Sequence, residues 1–178
     1  NTATLLADNS TSILRYTYQD VTIPDDSNTH TAVIIIDKDY DETRYPLVQL
    51  LLTGGGTPTR VAYIINTKTG AKNTVDVDSG TGTLEIIASG SKWFLYFSVP
   101  NNGTGNTTAR LGIDAAFTNS WGASAASLVT ATGSIVLGEA ELFLDTTIAE
   151  IRGAGIHPTE GSTFVGGAQT SAYDLLNH

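Results

Sequence analysis

Short apolar runs that alternate with polar residues constrain this chain more than any other feature. In residues 108–118, Leu111, Ile113, Ala115 and Phe117 occupy every second position, which is the period of a strand with one buried face. Similar runs recur along the chain between Gly, Asn, Asp and Ser, and long segments with a 3.6-residue helical period are missing. The sequence therefore predicts an all-β protein, an antiparallel two-sheet sandwich of immunoglobulin-like or jelly-roll type.

The same pattern locates the strands. Residues 31–37 and 46–53 are almost continuously apolar, as expected of strands covered on both faces, and we expect them at the centre of the core. Hairpin turns are predicted at Gly70 and at Ser89-Gly90, where glycine can adopt a positive φ. The predicted strands are residues 2–7, 12–18, 31–37, 46–53, 60–67, 73–78, 83–88, 91–99, 108–118, 128–137 and 139–151, with 145–151 also a candidate helix.

These strands predict one sandwich domain over residues 1–152, followed by a Gly-rich, irregular C-terminal arm over residues 153–178. A single helical turn is a candidate at residues 172–176. The extended N-terminal strand 1–7 can pair inside its own sandwich or add to the sheet edge of a neighbouring copy, and its alternation fits both equally well. Leu5 is its predicted anchoring side chain.

The composition limits the remaining classes of protein. The 178 residues include no Cys, so disulfides are excluded, and 40% apolar with 15% charged residues fits a folded domain. Asp and Glu number 18 against 9 Lys and Arg, a net charge of −9, which argues against a nucleic-acid partner. No apolar run approaches the roughly 20 residues of a membrane-spanning helix. The first residue, Asn1, is not Met, which favours a processed, exported chain.

A candidate metal site follows the first of the two apolar runs. Asp37, Asp39 and Asp41 form an Asp-x-Asp-x-Asp pattern, and hard oxygen ligands at alternate positions are what Ca²⁺ takes in a loop. The pattern departs from the EF-hand loop because its sixth position is Glu42 rather than Gly, and its twelfth is Val48 rather than Glu. A solvated acidic turn is the alternative.

Catalytic motifs are missing from the sequence. His30, His157 and His178 stand in none of the contexts that mark nucleophilic or zinc-dependent catalysis, and we expect them in solvated loops. Glu139 and Glu141 are spaced to share a strand face, but any strand meets the carboxyl separation that glycoside hydrolysis needs. We therefore predict no catalytic residues, no enzyme and no cofactor other than the candidate calcium.

Other residues indicate surfaces. Trp93 alternates within a strand and is expected in the core, whereas Trp121 lies in a polar, turn-like stretch and is a candidate contact residue. Residues 101–106 have no side chains suited to a core and are predicted to lie in solvent. Asn9, Asn102 and Asn106 match the N-glycosylation acceptor pattern.

In composition the chain resembles virion structural proteins, such as tail-fibre, spike and decoration subunits, and the filament subunits of prokaryotic cell surfaces. The resemblance implies a non-enzymatic structural subunit that self-assembles on a virion or extracellular surface. Its expected partners are copies of itself, other structural proteins of the same particle and surface glycans. Two alternatives remain open: a secreted pilus-like or biofilm filament subunit joined by strand exchange, and a carbohydrate-binding sandwich.

Overall fold

The computed structural model describes residues 3–13, 16–78, 82–122 and 127–154, together with the backbone of 172–174. Within these ranges the chain forms strands and one short helix. The elements are β1 Thr4–Asp8, β2 Tyr16–Thr22, β3 Thr29–Asp37, β4 Tyr45–Thr53, β5 Thr59–Ile65, β6 Lys72–Asp78, β7 Thr83–Ser89, β8 Lys92–Pro100, β9 Thr108–Thr118, β10 Gly133–Phe143, α1 Ile148–Gly153 and β11 Ala172–Asp174.

The strands form two antiparallel sheets packed face to face, so the predicted sandwich is confirmed. Sheet A has the order β1-β10-β3-β8-β7, with β11 also on β10, and sheet B has the order β2-β9-β4-β5-β6. The pairs are nested, since β1 pairs with β10, β2 with β9 and β3 with β8, before the β4–β5 hairpin. This nesting of a rolled-up hairpin is the jelly-roll order rather than the immunoglobulin order.

The two apolar runs occupy the middle of the two sheets, as predicted. β3 is the third strand of sheet A and β4 the third strand of sheet B. Their inward side chains, such as Ile34 and Leu50, are fully buried between the sheets. The two predicted hairpin turns are also present, with Gly70 at φ 73° and Gly90 at φ 51°. Strand alternation and turn glycines therefore suffice to locate the core.

Helix α1 covers the outer face of sheet A. Thr147 begins it with a capping box, in which its hydroxyl accepts a hydrogen bond from the backbone N–H of Glu150 and the Glu150 carboxylate accepts one from the backbone N–H of Thr147. Ile148 and Ile151 then pack in one apolar cluster with Phe94. The candidate helix at the end of the predicted strand 139–151 is thus confirmed in part.

The strand boundaries differ from prediction at β10. The two strands predicted over 128–137 and 139–151 are one strand that ends at Phe143, because a register shift between Leu137 and Ala140 carries the chain past Gly138 without ending the ladder.

The second strand begins later than predicted. Ser10 accepts hydrogen bonds from the backbone N–H groups of Ser12 and Ile13 and holds them in a turn. β2 therefore begins at Tyr16 instead of residue 12 and continues to Thr22 along β9.

Two predictions for the chain ends are wrong. Leu6, not Leu5, packs against the core, because the pairing with β10 turns Leu5 outward and leaves it 66% exposed. Within the predicted irregular arm, Ala172–Asp174 is a strand on β10 rather than a helical turn. The rest of the arm from residue 155 onward lies outside the described residues.

The prediction that residues 101–106 lie in solvent is wrong in part, because two asparagines of this loop are buried. Asn101 donates a hydrogen bond to the Pro24 carbonyl at 3.2 Å, and Asn106 donates one to the Thr57 carbonyl at 2.9 Å. These amides satisfy backbone groups of neighbouring loops, a role that the apolar pattern cannot reveal.

Replacing Ile151 by Ala is expected to lower the free energy of unfolding by about 2–4 kcal/mol, since a fully buried side chain then leaves a cavity under α1. Leu5→Ala is the matched control and should change it by less than about 0.5 kcal/mol. Urea denaturation measures both values. Equal effects of the two substitutions would contradict the packing of α1 on sheet A.

Candidate functional site

The three aspartates predicted to bind calcium have separate partners. Asp37 is paired with Lys92, while Asp39 accepts hydrogen bonds from Arg44 and from the Thr67 hydroxyl, both at 2.6 Å. The guanidinium of Arg44, which is 3% exposed, lies between the carboxylates of Asp39 and Asp41. The loop is therefore organised around a buried cation, and a calcium ion would have to displace it.

The calcium site remains a prediction that a melting experiment tests. If Asp37, Asp39 and Asp41 bind Ca²⁺, excess chelator should lower the melting temperature, because a ligand present at a hundredfold excess over its Kd stabilises the folded state by about 2.7 kcal/mol. An unchanged melting temperature would contradict the prediction. The same melting experiment on Arg44→Ala serves as a check, because this substitution removes the cation that competes with Ca²⁺ for the carboxylates of Asp39 and Asp41.

The prediction that His30 lies in a solvated loop is wrong, because this residue is fully buried in β3. Its Nδ1 accepts a hydrogen bond from the backbone N–H of Asp145 at 3.3 Å, and its Nε2 lies 3.4 Å from a carboxylate oxygen of Asp26. Among the described residues, these three form the one group of potential metal ligands whose ligand atoms lie within 4.8 Å of one another. His157 and His178 lie outside the described residues.

The hydrogen bonds of His30 disfavour metal binding at this cluster. Because Nδ1 accepts a hydrogen bond from the backbone N–H of Asp145, the neutral imidazole carries its own proton on Nε2. A metal on Nε2 would move that proton to Nδ1, where it would face the N–H of Asp145. Metal-bound histidines show the opposite pattern and donate from the second nitrogen. The cluster is better described as a buried neutral histidine between two carboxylates.

Burial lowers the pKa of His30, and the nearby carboxylates of Asp26 and Asp145 offset this only in part. The folded state therefore prefers the neutral ring, and the unfolded chain binds the proton first as the pH falls below 6.5. We expect His30 to lower the free energy of unfolding between about pH 7.5 and about pH 5. Urea denaturation at both values should show that His30→Gln removes this decrease, relative to the unsubstituted protein.

His157→Gln, measured in the same way, is the control for the loss of one His from the chain. The same pH dependence in the His30→Gln variant and the unsubstituted protein would show that His30 has no part in it.

The two glutamates considered for acid–base chemistry lie on the side of β10 away from the sandwich interior. Glu139 lies within the register shift between Leu137 and Ala140, and Glu141 lies opposite Val33 on β3. That the protein is not an enzyme remains a prediction, which the placement of these two residues does not test. Of the three glycosylation candidates, Asn9 is exposed, whereas Asn102 and Asn106 use their amides in loop hydrogen bonds.

A recess that the sequence analysis did not find lies on the outer face of sheet B. Its volume is about 330 Å³, at the lower end of small-molecule pockets. Cross-strand pairing assembles it, because Tyr16, Asp114 and Leu47 lie side by side on β2, β9 and β4. Its apolar lining is Leu47, Ala62, Val75 and Phe117, and its polar lining is Tyr16, Gln49, Arg60 and Asp114.

Gly112 makes room for one wall of the recess. The ring of Tyr16 lies across this glycine, where a Cβ would overlap the tyrosine hydroxyl. In this position the Tyr16 hydroxyl accepts a hydrogen bond from the side-chain amide of Gln49. A glycine inside a strand often marks such a close approach, and Gly112 is the one signal in the sequence that could have indicated the recess.

The polar groups of the recess are held in an unusual electrostatic environment. Burial raises the pKa of Asp114 to about 6, and the nearby Asp8 carboxylate adds to the shift. Burial also raises the pKa of Tyr16 to about 12. Asp114 is 1% exposed and accepts a hydrogen bond from the backbone N–H of Ala116 at 3.0 Å. The recess thus holds a carboxyl group that titrates near neutral pH.

Aromatic side chains continue on either side of the recess. Tyr18, 53% exposed, stacks on Tyr16 with ring centroids 5.8 Å apart, and the Arg110 guanidinium lies 4.0 Å from the Tyr18 ring. Trp121, 38% exposed, lies 5.0 Å from the ring of Tyr45. Trp121 is therefore partly exposed, as its polar surroundings predict.

Trp93 is partly buried against the core and donates a hydrogen bond to the Thr67 carbonyl at 2.6 Å.

The comparisons with known proteins assign this chain to no family. Neither a protein-family model nor a curated protein sequence matches this chain. In the part of the chain that the structure describes, no helix is long and apolar enough to cross a membrane.

Proposed function

We propose that this protein is a non-enzymatic structural subunit that self-assembles on a virion or extracellular surface by exchanging its first strand. The observation that carries the proposal is the construction of one sheet edge. The edge of β10 that does not pair with β3 is hydrogen-bonded to two short strands. β1 pairs along Gly133–Leu137, and β11 pairs along Glu141–Phe143. Within the described residues both strands pair with β10 alone.

The contacts of β1 are of the kind that a second copy can reproduce. Its five residues form a regular antiparallel ladder with β10, while Leu6 is the one apolar side chain of the strand that packs against the core. Backbone hydrogen bonds dominate the pairing, and the same ladder forms whether β1 comes from the same chain or from a neighbour. Exchange therefore replaces equivalent contacts and exposes little new apolar surface.

The fold supports the proposal only by analogy. Jelly rolls occur in viral capsid proteins and in lectins, and a fold by itself does not define a function. The geometry of exchange separates two versions of the proposal. Reciprocal exchange closes a dimer, whereas donation to the next copy in line produces an open filament of the pilus-like kind.

Cysteine pairs test strand exchange directly, since the chain has no Cys of its own. Leu5 lies opposite Val136 in the β1–β10 ladder, and paired Cβ atoms in such ladders are about 5 Å apart. One copy carries Leu5→Cys and the other Val136→Cys. When the mixture is unfolded, refolded together and oxidised, we expect disulfide-linked heterodimers on a non-reducing gel, because β1 of one copy lies on β10 of the other.

The control is a chain with both substitutions, which forms the disulfide within one molecule if β1 stays in its own sandwich. Each single variant alone measures background dimers. Heterodimers at background level, together with complete closure within the double variant, would overturn strand exchange. A monodisperse monomer in electron microscopy and light scattering at high concentration would overturn self-assembly altogether.

A further inference from the structure

We infer that the recess on the outer face of sheet B is a binding site for a neutral sugar, with Tyr16, Gln49 and Asp114 as the residues that contact its hydroxyl groups. This inference goes beyond self-assembly, because the recess lies on sheet B and the exchanged strand on sheet A. It does not depend on strand exchange, because β1 of a neighbouring copy would place the same Asp8 near Asp114.

The first step is the unused hydrogen-bonding capacity of the recess. Gln49 is 7% exposed and uses its amide nitrogen on Tyr16, while its amide oxygen has no donor among the described residues. The Tyr16 hydroxyl accepts that bond, and its own proton has no acceptor in the described part of the chain. Neither atom is fully enclosed, and Tyr16 is only half-buried, so both remain able to form hydrogen bonds. A bound molecule would supply both a donor and an acceptor.

The second step is the charge of the site. Its ionisable lining includes one carboxyl group, Asp114, and one guanidinium, Arg60. A strongly anionic ligand would be repelled by Asp114 and by a chain with a net charge of −9. A cationic ligand would be repelled by Arg60. Hydroxyl groups both donate and accept hydrogen bonds, so a neutral polyhydroxyl ligand satisfies a phenol, an amide and a carboxylate together.

The third step is the apolar surface. Leu47, Ala62, Val75 and Phe117 give the recess an apolar lining, and the ring of Tyr16 forms one side. A pyranose ring presents C–H groups on its faces and hydroxyls around its rim, so it matches an apolar surface with polar groups at the border. The exposed ring of Tyr18, stacked on Tyr16, offers a platform for a second sugar unit.

Titration with neutral oligosaccharides tests the inference. Cellopentaose, mannopentaose, maltopentaose and galactopentaose are added to the isotopically labelled protein, and side-chain amide shifts are followed by NMR. We expect at least one of them to shift the Gln49 side-chain amide and to bind measurably by calorimetry. Polygalacturonate, an anionic polymer, should not bind.

Substitutions connect binding to the recess. Tyr16→Phe keeps the ring and removes the hydroxyl, and we expect it to weaken binding about three- to tenfold, the value of one neutral hydrogen bond. Gly112→Ala displaces the Tyr16 ring and should abolish binding. Tyr40→Phe is the matched control, because Tyr40 is 89% exposed and does not line the recess. Circular dichroism and a thermal melt verify that each variant is folded.

Several outcomes overturn the inference. The inference is wrong if none of the four oligosaccharides shifts the Gln49 amide at millimolar concentration. It is also wrong if Tyr16→Phe and Tyr40→Phe weaken sugar binding equally. A Gly112→Ala variant that is folded but fails to associate, while no sugar binds the unsubstituted protein, would assign the recess to a protein contact instead. Failure of sugar binding leaves the heterodimer disulfide unaffected, so the two proposals fail separately.

Discussion

Burial of β3 and β4 on both of their faces is the constraint on which the rest of the structure depends. Each strand lies in the middle of its sheet, so both edges are hydrogen-bonded and the inward side chains meet those of the opposite sheet. The outer faces are covered in different ways. Helix α1 covers sheet A, whereas side chains of neighbouring strands, Tyr16 and Phe117 among them, cover the middle of sheet B. A recess can form on sheet B because side chains leave gaps that a packed helix fills.

The contact between Tyr16 and Gly112 sets the chemistry of that recess. Without a side chain on Gly112, the tyrosine ring lies down across β9 and brings its hydroxyl to the amide of Gln49. The same face of the sheet buries Asp114, and the loss of water around its carboxyl group raises its pKa to about 6. One small residue inside a strand therefore places a phenol and an amide beside a buried carboxyl group.

Polar residues contribute to the interior in a way that composition does not indicate. His30, Asn101 and Asn106 come from polar stretches, and all three are buried. Each has hydrogen-bond partners in neighbouring loops, where backbone N–H and C=O groups would otherwise lack partners. Arg44 is also buried, and its guanidinium lies between the carboxylates of Asp39 and Asp41. The acidic loop is therefore organised by a cation of the protein itself.

The sequence by itself determined the class of fold, the two central strands, the hairpin turns and the range of β9, because alternation and turn glycines are local signals. It also assigned residues to strand faces, though it chose Leu5 over Leu6 because a one-residue shift exchanges the faces. Tertiary structure alone decided which faces meet. Tyr16 and Asp114 are neighbours only because β2 pairs with β9 across most of the chain, and alternation specifies a face but not the strand that lies beside it.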